Sequence, residues 1–318
     1  MARSLFPHIE PPEAGMLGVG AGQEIYWVAS GNRAGVPAVL LHGGPGSGSG
    51  AASRRLFDPE KYWIIQFDQR GCGHSRPRVD WNTDLSSNQM SYLAADMELL
   101  RQHLSVDRWV VWGVSWGVTL GLLYAETYPD RVIAAVFNSV TMSRPREIQW
   151  LYHDVGRFYP EAWRRFQSGV PEAEREGDLV AAYHRLLHHD PDPAVRARAA
   201  RDWCTWEDAA SPLPDGRPNP RYDDPRFRMT FARIVTHYFR HGAWLEQDQL
   251  LRNAARLAGI PAVLVHGRLD MGGPLDTAWE LARAWPDAEL RVVETGHAGG
   301  QEMTDATLDA TDRFARLR

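Results

Sequence analysis

From Glu24 to about Val140 short β-branched apolar runs alternate with amphipathic stretches, and that alternation restricts the fold more than any other feature of the chain. Candidate strands cover residues 25–29, 38–42, 62–68, 109–113 and 132–138, and helical spacing covers 92–104 and 116–128, the second stopped by Pro129. Strands alternating with helices predict a parallel sheet covered on both faces. The pattern then breaks. Residues 142–253 hold no strand pattern and read as helices at 146–158, 161–167, 178–188, 194–208 and 227–239, with the Pro-rich loop SPLPDGRPNPRYDDP between the last two. At Ile260 the sheet pattern resumes with AVLVHG, followed by a helix over 277–285, a strand ELRVV and a closing helix near 304–317. The reading is one α/β unit in two parts, 1–141 and 254–318, split by an all-helical block at 142–253. No internal repeat or low-complexity segment interrupts this order.

Composition narrows the function classes. Of 318 residues 44% are hydrophobic and 24% charged, which suits a soluble globular protein. Thirty-five basic against forty acidic residues, with no run of either sign, argue against a nucleic-acid face. No stretch approaches the ~18 continuous apolar residues of a membrane span, and the first twenty residues lack a signal-peptide apolar core, so no membrane partner and a cytoplasmic location are expected. Cys72 and Cys204 lie far apart without metal-ligand spacing and read as free thiols. Thirteen tryptophans exceed what a core of this size needs; Trp27, Trp63 and Trp109 fall on strands and read as core.

The chemistry enters with Gly113-Val114-Ser115-Trp116-Gly117, set after the strand WVVWG and before a helix. In that context G-x-S-x-G is a nucleophile elbow, whose glycines stand where a Cβ would clash with the crowded turn. A serine hydroxyl needs a base and an oxyanion site. His42-Gly43-Gly44-Pro45-Gly46 follows an apolar strand and supplies half of that site, with the N–H groups of Gly44 and Trp116 as donors. A phosphate cradle is the alternative for this loop, but the lysine and Ser/Thr of a P-loop are absent. Asp270 follows the strand at 262–265 and His297 follows the strand at 289–293, so Ser115, Asp270 and His297 come in the chain order of the α/β-hydrolases. His297 is the expected general base and Asp270 its orienting carboxylate.

Taken together, HGGPG at 42–46, FDQRGCGHS at 67–75, GVSWG at 113–117, WCTWE at 203–207, HGRLD at 266–270 and GH at 296–297 make the sequence resemble the proline iminopeptidase family. The resemblance runs from about Leu40 to the C-terminus. It implies an α/β-hydrolase fold, a mostly parallel doubly wound sheet with an inserted helical cap. It also implies removal of one N-terminal amino acid, usually proline, from a substrate with a free amino terminus, without metal or organic cofactor. In such enzymes cap carboxylates hold the substrate ammonium, and Glu207 matches one of them. Arg144 or Arg146 matches a cap arginine near the substrate, and Trp203 and Trp206, one helical turn apart beside Glu207, are expected on the pocket wall.

One departure bears on specificity. Where the family carries a second ammonium-binding glutamate after ARI, this chain has Val235 followed by Thr236. The segment AGGQEM after His297 is also unusual. The lost carboxylate, the tryptophan-rich block and an arginine usage with a single lysine, Lys61, favour a relative that removes an aminoacyl cap from a larger apolar intermediate, as in macrolactam antibiotic pathways. An ordinary peptidase on short peptides is the other version. An esterase or lactonase on the same triad, and a non-catalytic ligand-binding protein on the same scaffold, are the alternatives from other classes.

Overall fold

The computed structural model describes residues 2–317. Eight strands build one sheet: β1 Glu13–Gly18, β2 Glu24–Gly31, β3 Val36–Leu41, β4 Tyr62–Phe67, β5 Trp109–Val114, β6 Val132–Asn138, β7 Ala262–Gly267 and β8 Ala288–Val293. Their order is β1-β2-β4-β3-β5-β6-β7-β8. From β4 onward in that order all pairs are parallel, while β1 pairs with β2 and β2 with β4 antiparallel. The sheet is thus mostly parallel, as expected, with its antiparallel pairs confined to the first edge. β1 was not expected at all: it is half exposed and carries Gly15, where an added Cβ would stand 3.0 Å from the Trp27 indole. A glycine that makes room for a neighbour's ring also erases the alternation by which a strand is recognised.

The central strands are buried on both faces, so they read as continuous apolar runs. Val39, Leu41, Ile65, Phe67 and Val111 pack on one face against the helices Met90–His103 and Trp116–Thr127. Ala38, Leu40, Ile64 and Val110 pack on the other, with Met303, Ala310 and Phe314 of the helix Gln301–Phe314. Trp27, Trp63 and Trp109 are buried in this core.

Between β6 and β7 lies the helical insert, whose main helices are Pro145–Tyr152, Pro160–Ser168, Leu179–His189, Pro193–Ala210 and Pro225–Arg240. Three of them start on an aspartate whose carboxylate accepts a first-turn N–H: Asp178 from Ala181, Asp192 from Ala194 and Asp224 from Arg226. The insert has an apolar core of its own, with Phe166 stacked between Tyr183 at 4.5 Å and Trp206 at 5.3 Å. The helix expected at 146–158 stops at Tyr152, where His153 leaves the helical conformation, and a 3-10 turn follows over Asp154–Phe158, in which Gly156 lies against Trp163 so closely that a Cβ would stand 2.5 Å from the ring. Among the described residues no helix is long and apolar enough to cross a membrane.

Candidate active site

Ser115 sits between the end of β5 and the helix Trp116–Thr127 with φ 54°, a left-handed conformation that costs a side-chain-bearing residue on the order of 1 kcal/mol. The surrounding turn imposes it. A Cβ on Gly113 would meet the Gly117 carbonyl at 2.6 Å, one on Gly117 would meet the Leu41 carbonyl at 2.3 Å, and the Ser115 N–H is tied to the Asn138 carbonyl at 3.0 Å. The strained turn lifts the hydroxyl clear of the sheet at its C-terminal edge, where ligands bind in open α/β sheets.

Asp270 and His297, from the loops after β7 and β8, converge on that hydroxyl. His297 Nε2 is 2.9 Å from Ser115 Oγ, and Nδ1 is 2.8 and 2.9 Å from the two Asp270 oxygens. A carboxylate can only accept, so Nδ1 carries the proton and Nε2 is left to take one from the serine. Burial disfavours the imidazolium of His297, but the Asp270 charge and hydrogen bond, with the more distant Glu207 charge, outweigh it and raise the pKa above its ordinary value.

A second histidine, which sequence reasoning missed, fixes the Asp270 loop. His266 Nδ1 accepts from the Val140 N–H at 2.9 Å, Nε2 donates to the Gly273 carbonyl at 2.9 Å, and the Gly273 N–H donates to Asp270 Oδ1 at 2.8 Å. That pattern requires the neutral Nε2–H tautomer. Burial, acting against the nearby Asp270 charge, also holds His266 below its ordinary pKa. HGRLD was read only for its aspartate, and its histidine could have been flagged by the strand-end position alone.

The glycine loop lies directly beside the elbow: a Cβ on Gly43 would stand 3.1 Å from the Val114 carbonyl and 3.4 Å from Ser115 Cβ. Gly44 has φ +115°, and Trp116 is the first residue of its helix, where N–H groups lack an intrahelical acceptor. Gln69 joins the two segments, donating to the His42 carbonyl at 3.0 Å and accepting from the Trp116 indole N–H at 3.0 Å. It belongs to FDQRGCGHS, whose Arg70 is buried in a bidentate pair with Asp96 at 2.6 and 2.7 Å.

Ser115, His297, Gly44 and Trp116 open on a cavity of about 570 Å³ roofed by the insert. Glu207 faces it from the helix Pro193–Ala210, with Ile148, Leu151, Phe231 and Phe239 as apolar wall. Tyr152 donates to Glu207 Oε1 at 2.5 Å and the Trp203 indole to the same oxygen at 3.1 Å. Among the described residues no hydrogen bond engages Oε2. Burial lifts the Glu207 pKa to about 7, against the two hydrogen bonds and the His297 charge, which act downward. Asp208 and Arg221 also line the cavity and were not anticipated.

The remaining expected residues lie off the cavity wall. Trp203 and Trp206 are fully buried in the core of the insert, because their flat rings pack with Tyr152, Trp163 and Phe166; Trp203 reaches the site only through its bond to Glu207. Arg144 sits at the stem of the insert, its buried guanidinium held by Glu147 at 2.5 Å and Glu280 at 2.6 Å, and Arg146 joins the same Glu280. Val235 is fully buried, one turn from Phe231 and one from Phe239, so it backs the cavity-facing side of its helix without lining the cavity.

Residues 37–300 match the alpha/beta hydrolase fold family. The chain is 49% identical to a probable proline iminopeptidase of Streptomyces coelicolor, covering 98% of each. It is 43% identical to a proline iminopeptidase of Xylella fastidiosa, covering 98% of this chain and 99% of that one. Among solved structures, a proline iminopeptidase of Mycobacterium smegmatis superposes with a TM-score of 0.63 over 95% of this chain and 99% of its own, at 18% identity, a likeness of fold. The chain thus belongs to the proline iminopeptidase family of α/β-hydrolases.

Proposed function

We propose that this protein is a serine aminopeptidase that removes a single N-terminal aminoacyl group, proline foremost, by cleaving the amide that follows it. The observation that carries the reading is a half-buried carboxylate, Glu207, with one oxygen free of hydrogen bonds, facing the same cavity as the Ser115–His297–Asp270 chain. A substrate ammonium entering an apolar cavity must find a negative partner there or stay in water. Glu207 is that partner. Its pairing holds the first residue so that the first carbonyl, and no later one, meets Ser115.

In this reading Ser115 Oγ attacks the carbonyl as its proton passes to His297 Nε2. Asp270 stabilises the resulting imidazolium, and the Gly44 and Trp116 N–H groups receive the oxyanion. His297 then gives the proton to the departing amine, and water, activated by the same imidazole, hydrolyses the acyl-enzyme. The division at 1–141, 142–253 and 254–318, with the middle segment as a selective cap, belongs to the same proposal.

Purified protein is expected to release proline from prolyl 4-nitroanilide and from short prolyl peptides. Ser115→Ala should lower kcat by about 10⁶-fold, the scale of losing a triad nucleophile. Turnover of simple esters with none of free-amine amides would overturn the aminopeptidase reading in favour of an esterase.

Val235, which replaces a carboxylate of the family pattern with an apolar side chain, favours a second reading in which the leaving group is a larger apolar amine. The two separate in a series of prolyl amides of growing alkyl length. A steady gain in kcat/KM with length supports the second, and a flat series supports the peptidase.

A further inference from the structure

Away from the catalytic serine, the helices Leu179–His189 and Pro225–Arg240 of the insert bring three histidines together. One ring nitrogen each of His184, His237 and His241 lies within 4.8 Å of the other two. We infer that these three side chains form a binding site for a divalent transition-metal ion of the zinc class, which fastens the two helices to each other.

Among the described residues no donor hydrogen-bonds to a ring nitrogen of these three histidines. His237 Nε2 donates to the Asn88 carbonyl at 3.0 Å, and His241 Nδ1 donates to the His237 carbonyl at 2.8 Å. A neutral imidazole that gives its single N–H to a backbone carbonyl keeps a lone pair on its other nitrogen, the arrangement by which metal-ligating histidines are oriented and made more basic. Among the described residues no hydrogen bond engages the His184 ring. The adjacent His188 is different. Its Nε2 lies 3.1 Å from the Arg233 carbonyl and its Nδ1 3.3 Å from the Arg233 guanidinium, so both nitrogens are in use and it serves as a backing, stacked on His184 at 4.1 Å.

Position and geometry agree with an ion. His237 is buried, His184 partly so and His241 exposed, which gives a held base and an open approach. Trp244 lies against both members of the second helix, stacked on His241 at 4.7 Å and 4.9 Å from His237. Bonds of about 2.0–2.1 Å to a tetrahedral ion place ligand nitrogens roughly 3.4 Å apart, so the cluster must draw in by at most about 1.4 Å. The exposed His241, at the end of its helix, supplies that movement by a small shift that keeps its Nδ1 bond to the His237 carbonyl. Three imidazoles with no carboxylate suit zinc, cobalt, nickel or copper and not calcium or magnesium. A three-histidine set leaves the fourth position to water.

The ion would act on the insert as a clamp. Pro225–Arg240 also presents Phe231 and Phe239 to the catalytic cavity, and its His237 reaches Asn88 of the sheet domain. Fastening this helix to Leu179–His189 fixes one wall of the cavity.

The test uses full-length protein freed of metal by a chelator and titrated with Zn²⁺ alone by calorimetry, with Co²⁺ absorption as a second readout. One ion per chain with a Kd near or below about 1 µM, a rise in Tm on saturation, and visible d–d bands of a tetrahedral Co²⁺ complex are expected. His184→Gln and His241→Gln should each weaken binding by about 10–100-fold, while His189→Gln, on the exposed neighbour, should not. His241 is exposed, so its variant folds whatever happens to the other. Absence of saturable Zn²⁺ binding, or a Kd unchanged in His241→Gln, overturns the site.

Discussion

Replacing Glu207 with glutamine tests the ammonium anchor at almost no structural cost. Glutamine keeps the carbonyl oxygen that accepts from Tyr152 and Trp203, so the insert should keep its packing, while the cavity loses its negative charge. Removing one partner of a buried ion pair costs about 3–5 kcal/mol. The cavity is open to solvent and Glu207, with a pKa of about 7, is only half ionised at neutral pH, so the lower end applies. At about 1.4 kcal/mol per factor of ten, a loss near 3 kcal/mol lowers kcat/KM by roughly a hundredfold. The ammonium is paired in both the bound and the transition state, so the loss should fall mainly on KM. Steady-state assays at pH 7 on prolyl 4-nitroanilide and on 4-nitrophenyl acetate separate the outcomes, since the ester carries no ammonium and should change less than about threefold by the same argument. Equal losses on the two substrates, or a loss under about fivefold on the amide, would refute the reasoning.

The pH profile supplies an independent check on the same variant. Below about 7 Glu207 takes up a proton and stops pairing, and His297, raised above its ordinary pKa, is protonated and unable to act as base. Wild-type kcat/KM on the amide must therefore climb as pH rises through about 7, as one coupled transition of two groups that sense each other. Without the Glu207 charge the His297 pKa falls, so the acid limb of Glu207→Gln moves to lower pH.

Tyr152→Phe removes the 2.5 Å bond to Glu207, one of the forces that holds the carboxyl down, so the acid limb should move to higher pH and activity at pH 7 should fall by about five- to tenfold, recovering at pH 8. His266→Leu leaves the Val140 N–H and the Gly273 carbonyl without their partner at a cost of about 1–3 kcal/mol each, which should lower Tm by several degrees and reduce kcat more than KM as the Asp270 loop loosens. Val235→Glu places a carboxylate in the apolar interior of the insert. A drop in Tm of several degrees is expected by thermal denaturation, together with a lower KM for prolyl amides as the side chain turns toward the cavity between Phe231 and Phe239.

The parts of this molecule that could be read from the chain are those whose cause is local. Ser115, Asp270 and His297 each follow a strand, and the elbow glycines are forced by contacts within the same turn or with the adjacent β3, so spacing alone identifies them. Glu207 is singled out by the resemblance of WCTWE to the family pattern and not by spacing. The groups that tune these residues were hidden because their partners lie far along the chain. Tyr152 meets Glu207 across 55 positions, Gln69 meets Trp116 across 47, and His266 meets Val140 across 126. The tryptophans misled for a related reason. Trp203 and Trp206 precede Glu207 closely in sequence, and Trp203 shares its helix face, but the long carboxylate reaches the cavity while the two indoles stay behind it in the core of the insert. The edge strand β1 escaped because its half-exposed face and Gly15 give it no alternation.

The stem of the insert has a further consequence. The chain leaves the sheet after Asn138 and the descending end of the insert passes Arg144 again at Asp248, 3.8 Å away, with Glu280 of the sheet domain closing the same junction. Both ends of a long segment with its own core are thus fastened at one point. Closure of such a segment depends only weakly on its length, so the roof can lengthen, shorten or be exchanged without disturbing the strand ends that hold the triad. On the proposed role of the insert as a selective cap, heritable change in substrate choice can accumulate in the roof at little cost to the chemistry, and a graft cut at this junction would move a new selectivity onto the same catalytic base.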